Sequence, residues 1–408
     1  MSDPRIPGED RVRRWRDDTP GSGGRAHLNN AGAALMPRPV VDAIRHHLDL
    51  ETEVGGYEAA EEAAGEMRSA YVHLARLFGE ARPENVAIVE NATVAVSQAL
   101  SAFDFQPGDV LVTTHNDYTS NQLMYLSLSR RCGLEVLRAD DLPEGGVDPD
   151  SVRKLAAHPR CRLVSLTWVP TNSGLMQPAE AVGEICEAAG VPYLVDACQV
   201  VGQMPVDVAR LHCDFLAGTA RKFLRGPRGI GFLYVSDRAL ERGMYPLFVD
   251  MRGASLLDEE RFELAPGASR FENWEFPYAL LRGLGEAARY ALEVGVEESA
   301  PRTLALASYA RERLAALPGV ELADRGAHLC AIITFSVGSR DANEIVHALR
   351  KAGVNTSASG RGPGPHHDLK EERRPLVRVS PHYYNTREEI DTAVSALEDI
   401  LLDGAAHD

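Results

Sequence analysis

The sequence predicts an α/β fold: a large domain with a mostly parallel, seven-stranded sheet flanked by helices, then a smaller α+β C-terminal domain. Three observations predict it. Short apolar runs bounded by Gly, Pro or Asp recur between residues 85 and 235, helical patterns separate most of them, and the texture changes after about residue 265. Apolar runs without alternation are what strands buried on both faces look like. Strands alternating with helices argue for parallel pairing.

The elements follow in order. Residues 1–24, "MSDPRIPGEDRVRRWRDDTPGSGG", mix both charge signs and hold no apolar core, so they read as a flexible arm and not as a signal peptide. From about 40 to 80 the pattern is helical, with an interruption at "EVGGYEAA". The strand candidates are "NVAIVE" (85–90), "VLVTTH" (110–115), "LEVLRA" (134–139), "RLVSLTWV" (162–169), "PYLVDA" (192–197), "DFLAGT" (214–219) and "GIGFLYV" (229–235). Helical stretches such as "TVAVSQALSAF" and "AEAVGEICEAAG" lie between them. The last two candidates are joined by a turn too short for a crossover helix, so the final strand is expected to be antiparallel or distant in order.

Beyond residue 265 come a helix over about 276–297, a second helix, a strand in "LCAIITFS", the helix "ANEIVHALRKAG", a strand around "LVRVS" and a last helix "TREEIDTAVSALEDILL". The stretch "GRGPGPHHD" (360–368) reads as a mobile loop. The expected boundaries are an arm over 1–24, the large domain over 25–265 and the small domain over 266–408, with 25–60 able to pack against the latter. A chain of 408 residues is ample for two domains.

Composition narrows the function. Apolar residues make up 44% and charged residues 25%, an ordinary soluble balance. Lys plus Arg number 43 against 59 Asp plus Glu, a formal charge of -16 that argues against nucleic acid as a partner. No eighteen apolar residues run together, so no membrane-spanning helix is expected. The six cysteines, at 132, 161, 186, 198, 213 and 330, form no C-x-x-C pair and suit reduced thiols in a cytoplasmic protein. His46-His47 and His366-His367 are adjacent pairs whose rings point apart, which is no ligand spacing, and no metal is expected.

Ligands of a doubly wound sheet collect at the carboxyl ends of its strands. The strand exits here offer Asn91, Ala92 and Thr93, then Asp117, Tyr118 and Asn121, then Thr171 and Asn172, then Asp196 and Gln199, then Thr219, Arg221 and Lys222. Taken singly, each is a common strand-end cap. Their order is more telling: an anion nest, an aromatic ring, a polar contact, Asp, Gln, then Lys. Pyridoxal 5'-phosphate (PLP) asks for that set, namely a lysine for a Schiff base, a carboxylate for its pyridine nitrogen, a flat side chain on its ring and a nest for its phosphate.

From "HLNNAGAALMP" (27–37) to "VRVSPHYYNTREEID" (377–391), the chain resembles the fold type I PLP enzymes, and among them the class V aminotransferase and cysteine desulfurase superfamily. The most specific stretch is "VDACQVVGQMPVDVARLHCDFLAGTARKFLRGPRGIGFLYV" (195–235). The resemblance implies that Lys222 carries the cofactor and later moves the substrate proton, that Asp196 binds the pyridine nitrogen and that Gln199 meets the phenolic oxygen. It assigns the phosphate to Thr93, Thr219, Arg221 and the Ala92 N–H, the ring face to Tyr118, a polar contact to Thr171 and the substrate α-carboxylate to Arg378. Asn30 and Tyr57 fall on the substrate side. Arg221 beside Lys222 disfavours the protonated amine and makes it a better nucleophile. A homodimer with sites completed across the interface is also implied. "FENWEF" (271–276) aligns with the segment that reaches the neighbouring subunit's phosphate in relatives. Glu275 holds the usual threonine place, where a carboxylate would repel phosphate.

For the reaction, cysteine desulfurases carry a loop cysteine before the carboxylate-binding arginine, and "NTSASGRGPGPHHDLKEERRPLVR" (355–378) contains none. Persulfide-forming desulfuration is therefore disfavoured. "ETEVGGYEAAEEA" (51–63), "DYTSN" and "RK…GPRG" resemble the branch of hercynylcysteine sulfoxide lyases, lincosamide-pathway S-cysteine enzymes and isopenicillin-N-epimerase-like proteins. The expected reaction is β-elimination from an S-substituted cysteine or its sulfoxide, giving pyruvate, ammonia and a thiol or sulfenic product. Gly55-Gly56 and the 360–368 loop are expected to line a roomy entrance. An aminotransferase or a racemase/epimerase is the alternative on the same Lys222, Asp196 and Arg378. A nucleotide-binding module is disfavoured, because "GPRGIG" lacks the G-x-G-x-x-G spacing and precedes a strand.

Overall fold

A computed structural model describes residues 8–79, 81–360 and 375–405 of the chain. After a short strand β1 (Ala26–His27), seven strands stand where the apolar runs place them. They are β2 (Val86–Val89), β3 (Val110–Thr113), β4 (Glu135–Arg138), β5 (Cys161–Thr167), β6 (Tyr193–Asp196), β7 (Phe215–Thr219) and β8 (Gly231–Val235). One sheet holds them in the order β2-β8-β7-β6-β5-β3-β4. The run β4-β3-β5-β6-β7 is parallel, while β8 is antiparallel to both β7 and β2.

The physical reasons are local. Strands β2, β3, β6, β7 and β8 are buried at every residue, as their unbroken apolar runs require, whereas the edge strand β4 is partly exposed. Residues 220–230 are too few for a crossover, so β8 returns antiparallel. Gly218 in β7 sits opposite Phe232 of β8, and a Cβ there would lie 2.3 Å from that ring. Only glycine lets the two strands close at this point.

Helices α1 (Glu9–Asp17), α2 (Arg38–Val54), α3 (Gly56–Glu62), α4 (Ala64–Leu77), α5 (Ala92–Ser101) and α6 (Thr119–Cys132) accompany the first half of the sheet. Where a flexible arm is expected over 1–24, the described part is folded. Val12 and Trp15, three apart and so on one helix face, are buried with Tyr290, Val294, Tyr383 and Tyr384. Seven charged neighbours in "EDRVRRWRD" hide that pair from a reading of composition. "EVGGYEAA" is a plain helix break, with Gly55 at φ 102° turning the chain between α2 and α3.

A hairpin of β9 (Ala254–Leu256) and β10 (Phe262–Leu264) has no counterpart among the expected strands. Helices Tyr278–Val294 and Val296–Ala315 follow. Then come β11 (Val320–Leu322), β12 (Ile333–Val337), β13 (Val354–Asn355), β14 (Ser357–Ser359) and β15 (Leu376–Val379), with a last helix over Arg387–Ala405. A second, antiparallel sheet runs β11-β12-β15-β14. Strand β13 pairs instead with β1, and Asn29 bridges to Ser380, which brings residues 26–30 beside β15. The expected loop over 360–368 lies outside the described residues except for Gly360. Among the described residues no helix is long and apolar enough to cross a membrane.

Candidate active site

A cavity of about 500 Å³ opens along the carboxyl edge of the seven-stranded sheet. Strands β2, β3, β5, β6 and β7 all point the same way, so each delivers its exit residues to this one edge. Asn91 to Thr93 line it from β2, Tyr118 and Asn121 from β3, Thr167 and Thr171 from β5, Asp196, Cys198 and Gln199 from β6, and Thr219, Arg221 and Lys222 from β7.

Lys222 is buried, with 8% of its surface exposed. The chain has four lysines, at 154, 222, 351 and 370. Lys154 and Lys351 are exposed, so Lys222 is the buried one among those described. A tight turn fixes its backbone, with the Arg225 N–H donating to the Lys222 carbonyl at 2.9 Å and the Gly226 N–H to the Ala220 carbonyl at 2.8 Å. Burial holds its ammonium below the ordinary lysine range; Arg221 and Arg378 push the same way and Asp196 opposes. The amine gives up its proton more readily than an exposed lysine and is the better nucleophile for it. The effect expected from Arg221 is present, but burial is the larger cause.

Asp196 ends β6 and accepts the Cys198 N–H on Oδ1 at 3.0 Å and the Asn121 amide on Oδ2 at 3.1 Å. Gln199 donates Nε2 to the Ala31 carbonyl (3.2 Å) and to Thr171 Oγ1 (3.1 Å), while its Oε1 is buried without a partner. At the other end, Asn91 Oδ1 caps the Val94 N–H of α5 at 3.0 Å. The amides of Ala92 and Thr93 are in the first turn, where a helix offers no internal acceptor and its dipole favours an anion. Tyr118, 39% exposed, stands at the start of α6 on the cavity wall.

Arg221 donates to the Gly32 carbonyl, and its own carbonyl accepts the Ala34 N–H at 2.9 Å, so it ties residues 32–34 to the Lys222 turn. Burial and the nearby Arg228 lower its pKa. Arg378, on β15, is 7% exposed and reaches the cavity through Thr171. Its Nη1 donates to the Thr171 carbonyl (2.8 Å) and Oγ1 (2.7 Å), and its Nη2 to Asn29 Oδ1 (3.3 Å). Its Nε has no partner, and no carboxylate of the described residues pairs with it. Burial and Arg221 push its pKa down to about 10. A buried guanidinium left without a carboxylate is an open anion site.

Two expected substrate contacts are not brought together with the rest. Asn30 is buried in structural bonds, donating to the Ser380 carbonyl (2.7 Å) and accepting the Tyr384 hydroxyl (2.6 Å). Tyr57 is 74% exposed on α3, and no described residue of 51–63 lines the cavity. Gly55 turns the chain between α2 and α3, away from that cavity's lining. In "FENWEF", Glu272 is buried, Glu275 is exposed, and the Asn273 amide meets Glu90 Oε1 on the cavity rim at 3.2 Å. Cys198 and Arg228 also line the wall, and neither carries a role in the sequence reading. Cys198 follows Asp196 by two residues, a signal in plain view; Arg228 becomes a wall residue only when β8 folds back.

The groups fit PLP on several counts: a buried amine whose pKa is lowered, a carboxylate at a strand end, an unpartnered amide oxygen suited to a phenol, and free helix-start amides on the same cavity wall. Comparison with known proteins agrees. The family model for aminotransferase class-V matches residues 26–393. A probable cysteine desulfurase of Methanothermobacter thermautotrophicus is 28% identical over 395 residues, covering 94% of this chain and 97% of that protein. Among solved structures, a cysteine desulfurase of Thermococcus onnurineus superposes with a TM-score of 0.85 at 24% identity, covering 98% and 99% of the two chains. A variant of C-DES with glycine covalently linked to its PLP cofactor superposes with a TM-score of 0.84 at 22% identity, covering 94% and 99%.

These matches overturn the expectation of a C–S β-lyase with desulfuration disfavoured, since full-length relatives carry the cysteine desulfurase name. The error has a physical root. A missing loop cysteine bears on where sulfur is parked, not on the groups that loosen it. The narrower likeness to the sulfoxide-lyase branch has no support in these matches.

Proposed function

Because the chain belongs to the class-V aminotransferase family, we propose that it is a PLP enzyme that removes sulfur from an L-cysteine-type substrate, with Lys222 as cofactor-bearing base. The observation that carries this reading is the buried Lys222, its ammonium pKa lowered by burial, on one cavity wall with Asp196 in a family whose curated relatives are named for cysteine desulfuration. PLP supplies an electron sink next to the substrate's Cα. Lys222 Nζ holds the proton taken from Cα and returns it at the end. Asp196 keeps the pyridine nitrogen protonated, and Gln199 Oε1 accepts the phenol. The Ala92 and Thr93 amides, the hydroxyls of Thr93 and Thr219, and Arg221 hold the phosphate; Tyr118 covers the ring. Arg378, oriented by Thr171 and Asn29, clamps the substrate carboxylate as a planar fork.

The sulfur leaves this chain directly. Cys198 is the cysteine on the cavity wall, and burial together with Asp196 raises its thiol pKa, so it stays protonated. Residues 355–378 hold no cysteine. An external thiolate therefore takes the sulfur as a persulfide, R–SH plus cysteine giving R–S–SH plus alanine. Incubation with L-cysteine and dithiothreitol tests this: alanine and sulfide in equal amounts are expected, and pyruvate in place of alanine would refute it.

Two further features belong to the reading. The chain acts as a homodimer, its partner covering the exposed run of Tyr245, Leu247, Phe248, Met251, Leu256 and Phe262. All six cysteines are free, which suits the cytoplasm.

A further inference from the structure

We propose that Asp117 and Asn121 are positioning residues for the cofactor's ring nitrogen: Asn121 bridges Asp117 to Asp196, and Asp117 fixes which end of that amide faces Asp196. This rests on the reading of Asp196 as the pyridine partner. The geometry is a chain of buried polar groups across three strands. Asn121 Nδ2 lies 3.1 Å from Asp117 Oδ1 and 3.1 Å from Asp196 Oδ2, so its two hydrogens serve two carboxylates. Asp117 also accepts the Thr167 hydroxyl at 2.6 Å, the Thr113 hydroxyl at 2.7 Å and the Tyr118 N–H at 2.6 Å. Thr113 ends β3, Thr167 ends β5 and Asp196 ends β6.

Asp117 pairs with no cation among the described residues, although it is 8% exposed. A buried carboxylate held only by neutral donors is costly, and burial raises its pKa. Its placement has a consequence one bond away. An asparagine amide can turn over, and network partners decide which end is nitrogen. With a carboxylate on both sides, the turned-over amide would set its oxygen against two acceptors at once. Asp117 thus forces Asn121 to donate to Asp196. Asp196 Oδ1 takes the Cys198 N–H, and the carboxylate is left in one plane with acceptor capacity toward the cavity.

The test separates positioning from folding. Apoprotein of the wild type, Asp117→Asn and Asn121→Ala is titrated with PLP and with an analogue carrying CH in place of the ring nitrogen, following absorbance. The expected result is at least about a tenfold loss of PLP affinity in both variants, the size of one charge-assisted hydrogen bond. Affinity for the analogue should stay within about threefold of wild type, because the bond to Asp196 is absent there. Thr113→Val, which removes one donor from Asp117, should show the same selectivity at smaller size, and stands in if Asp117→Asn does not fold. Equal losses for both ligands, or no loss with PLP, overturn the relay. A wild type that fails to bind PLP overturns the functional reading itself.

Discussion

Glu272→Gln is expected to stabilise the protein at alkaline pH and to do little at acid pH. Glu272 is 3% exposed, and one oxygen, Oε1, accepts both the Ile88 N–H (2.7 Å) and the Tyr71 hydroxyl (2.9 Å). Its nearest cation, Arg252 Nε, is 3.9 Å from Oε2. Burial outweighs these contacts and lifts its carboxyl from 4.5 to about 7. The folded state then binds the proton more tightly than the unfolded chain. The associated stability is complete below pH about 4.5, is lost as pH rises toward 7, and changes little above. At 1.36 kcal/mol per pKa unit, the loss is roughly 3 kcal/mol. Glutamine keeps the Oε1 acceptor and mimics the neutral acid, so it escapes the loss. Urea unfolding midpoints at pH 5 and pH 8 measure it: the variant should exceed the wild type at pH 8, with most of the gap closed at pH 5. A gap that does not change with pH, or a variant weaker at pH 8, would refute the reasoning.

Three other outcomes are expected. Arg378→Lys keeps the charge but loses the fork, and should raise KM for the amino acid by about 10- to 100-fold with a smaller change in kcat, read from initial rates. Arg225, 1% exposed at φ 62°, donates to the Leu35 carbonyl (2.9 Å), the Tyr383 hydroxyl (2.7 Å) and Thr19 Oγ1 (2.6 Å). Arg225→Met strands the buried Thr19 and Tyr383 hydroxyls and the half-buried Leu35 carbonyl, and chemical unfolding should show a loss of at least about 3 kcal/mol; a change below about 1 kcal/mol would contradict it. Phe248 and Leu256 are 81% and 79% exposed, and Phe248→Glu with Leu256→Glu should turn a dimer into a monomer by light scattering, whereas an unchanged mass would place the interface elsewhere.

Much of this architecture was legible because buried parallel strands announce themselves. "YLVD" and "FLAGT" are apolar to the last residue and then turn polar, so both the strand and its functional exit can be read together. The antiparallel return of β8 followed from a turn length. What escaped has equally local causes. Helix α1 buries two side chains among many charges. The hairpin β9–β10 has three residues per strand and little burial, so no period exists to read. The Asn121–Asp196 contact joins residues 75 positions apart across an intervening strand, and nothing in "DYTSN" announces its partner. Asn30 and Tyr57 were placed by likeness alone, and tertiary packing puts one in the scaffold and the other in solvent. The reaction is less legible for a different reason: one absent cysteine says nothing about the Lys222, Asp196 and Arg378 groups that are present.

On the proposed function, Lys222 is the residue that binds PLP. Borohydride reduction of the PLP-loaded protein, followed by peptide mapping, tests it directly, because the chain offers four lysines to choose from. One pyridoxyl group on the Lys222 peptide, with loss of the visible absorption band and no label in Lys222→Ala, is the predicted result. A label on Lys154, Lys351 or Lys370, or none at all, would contradict it.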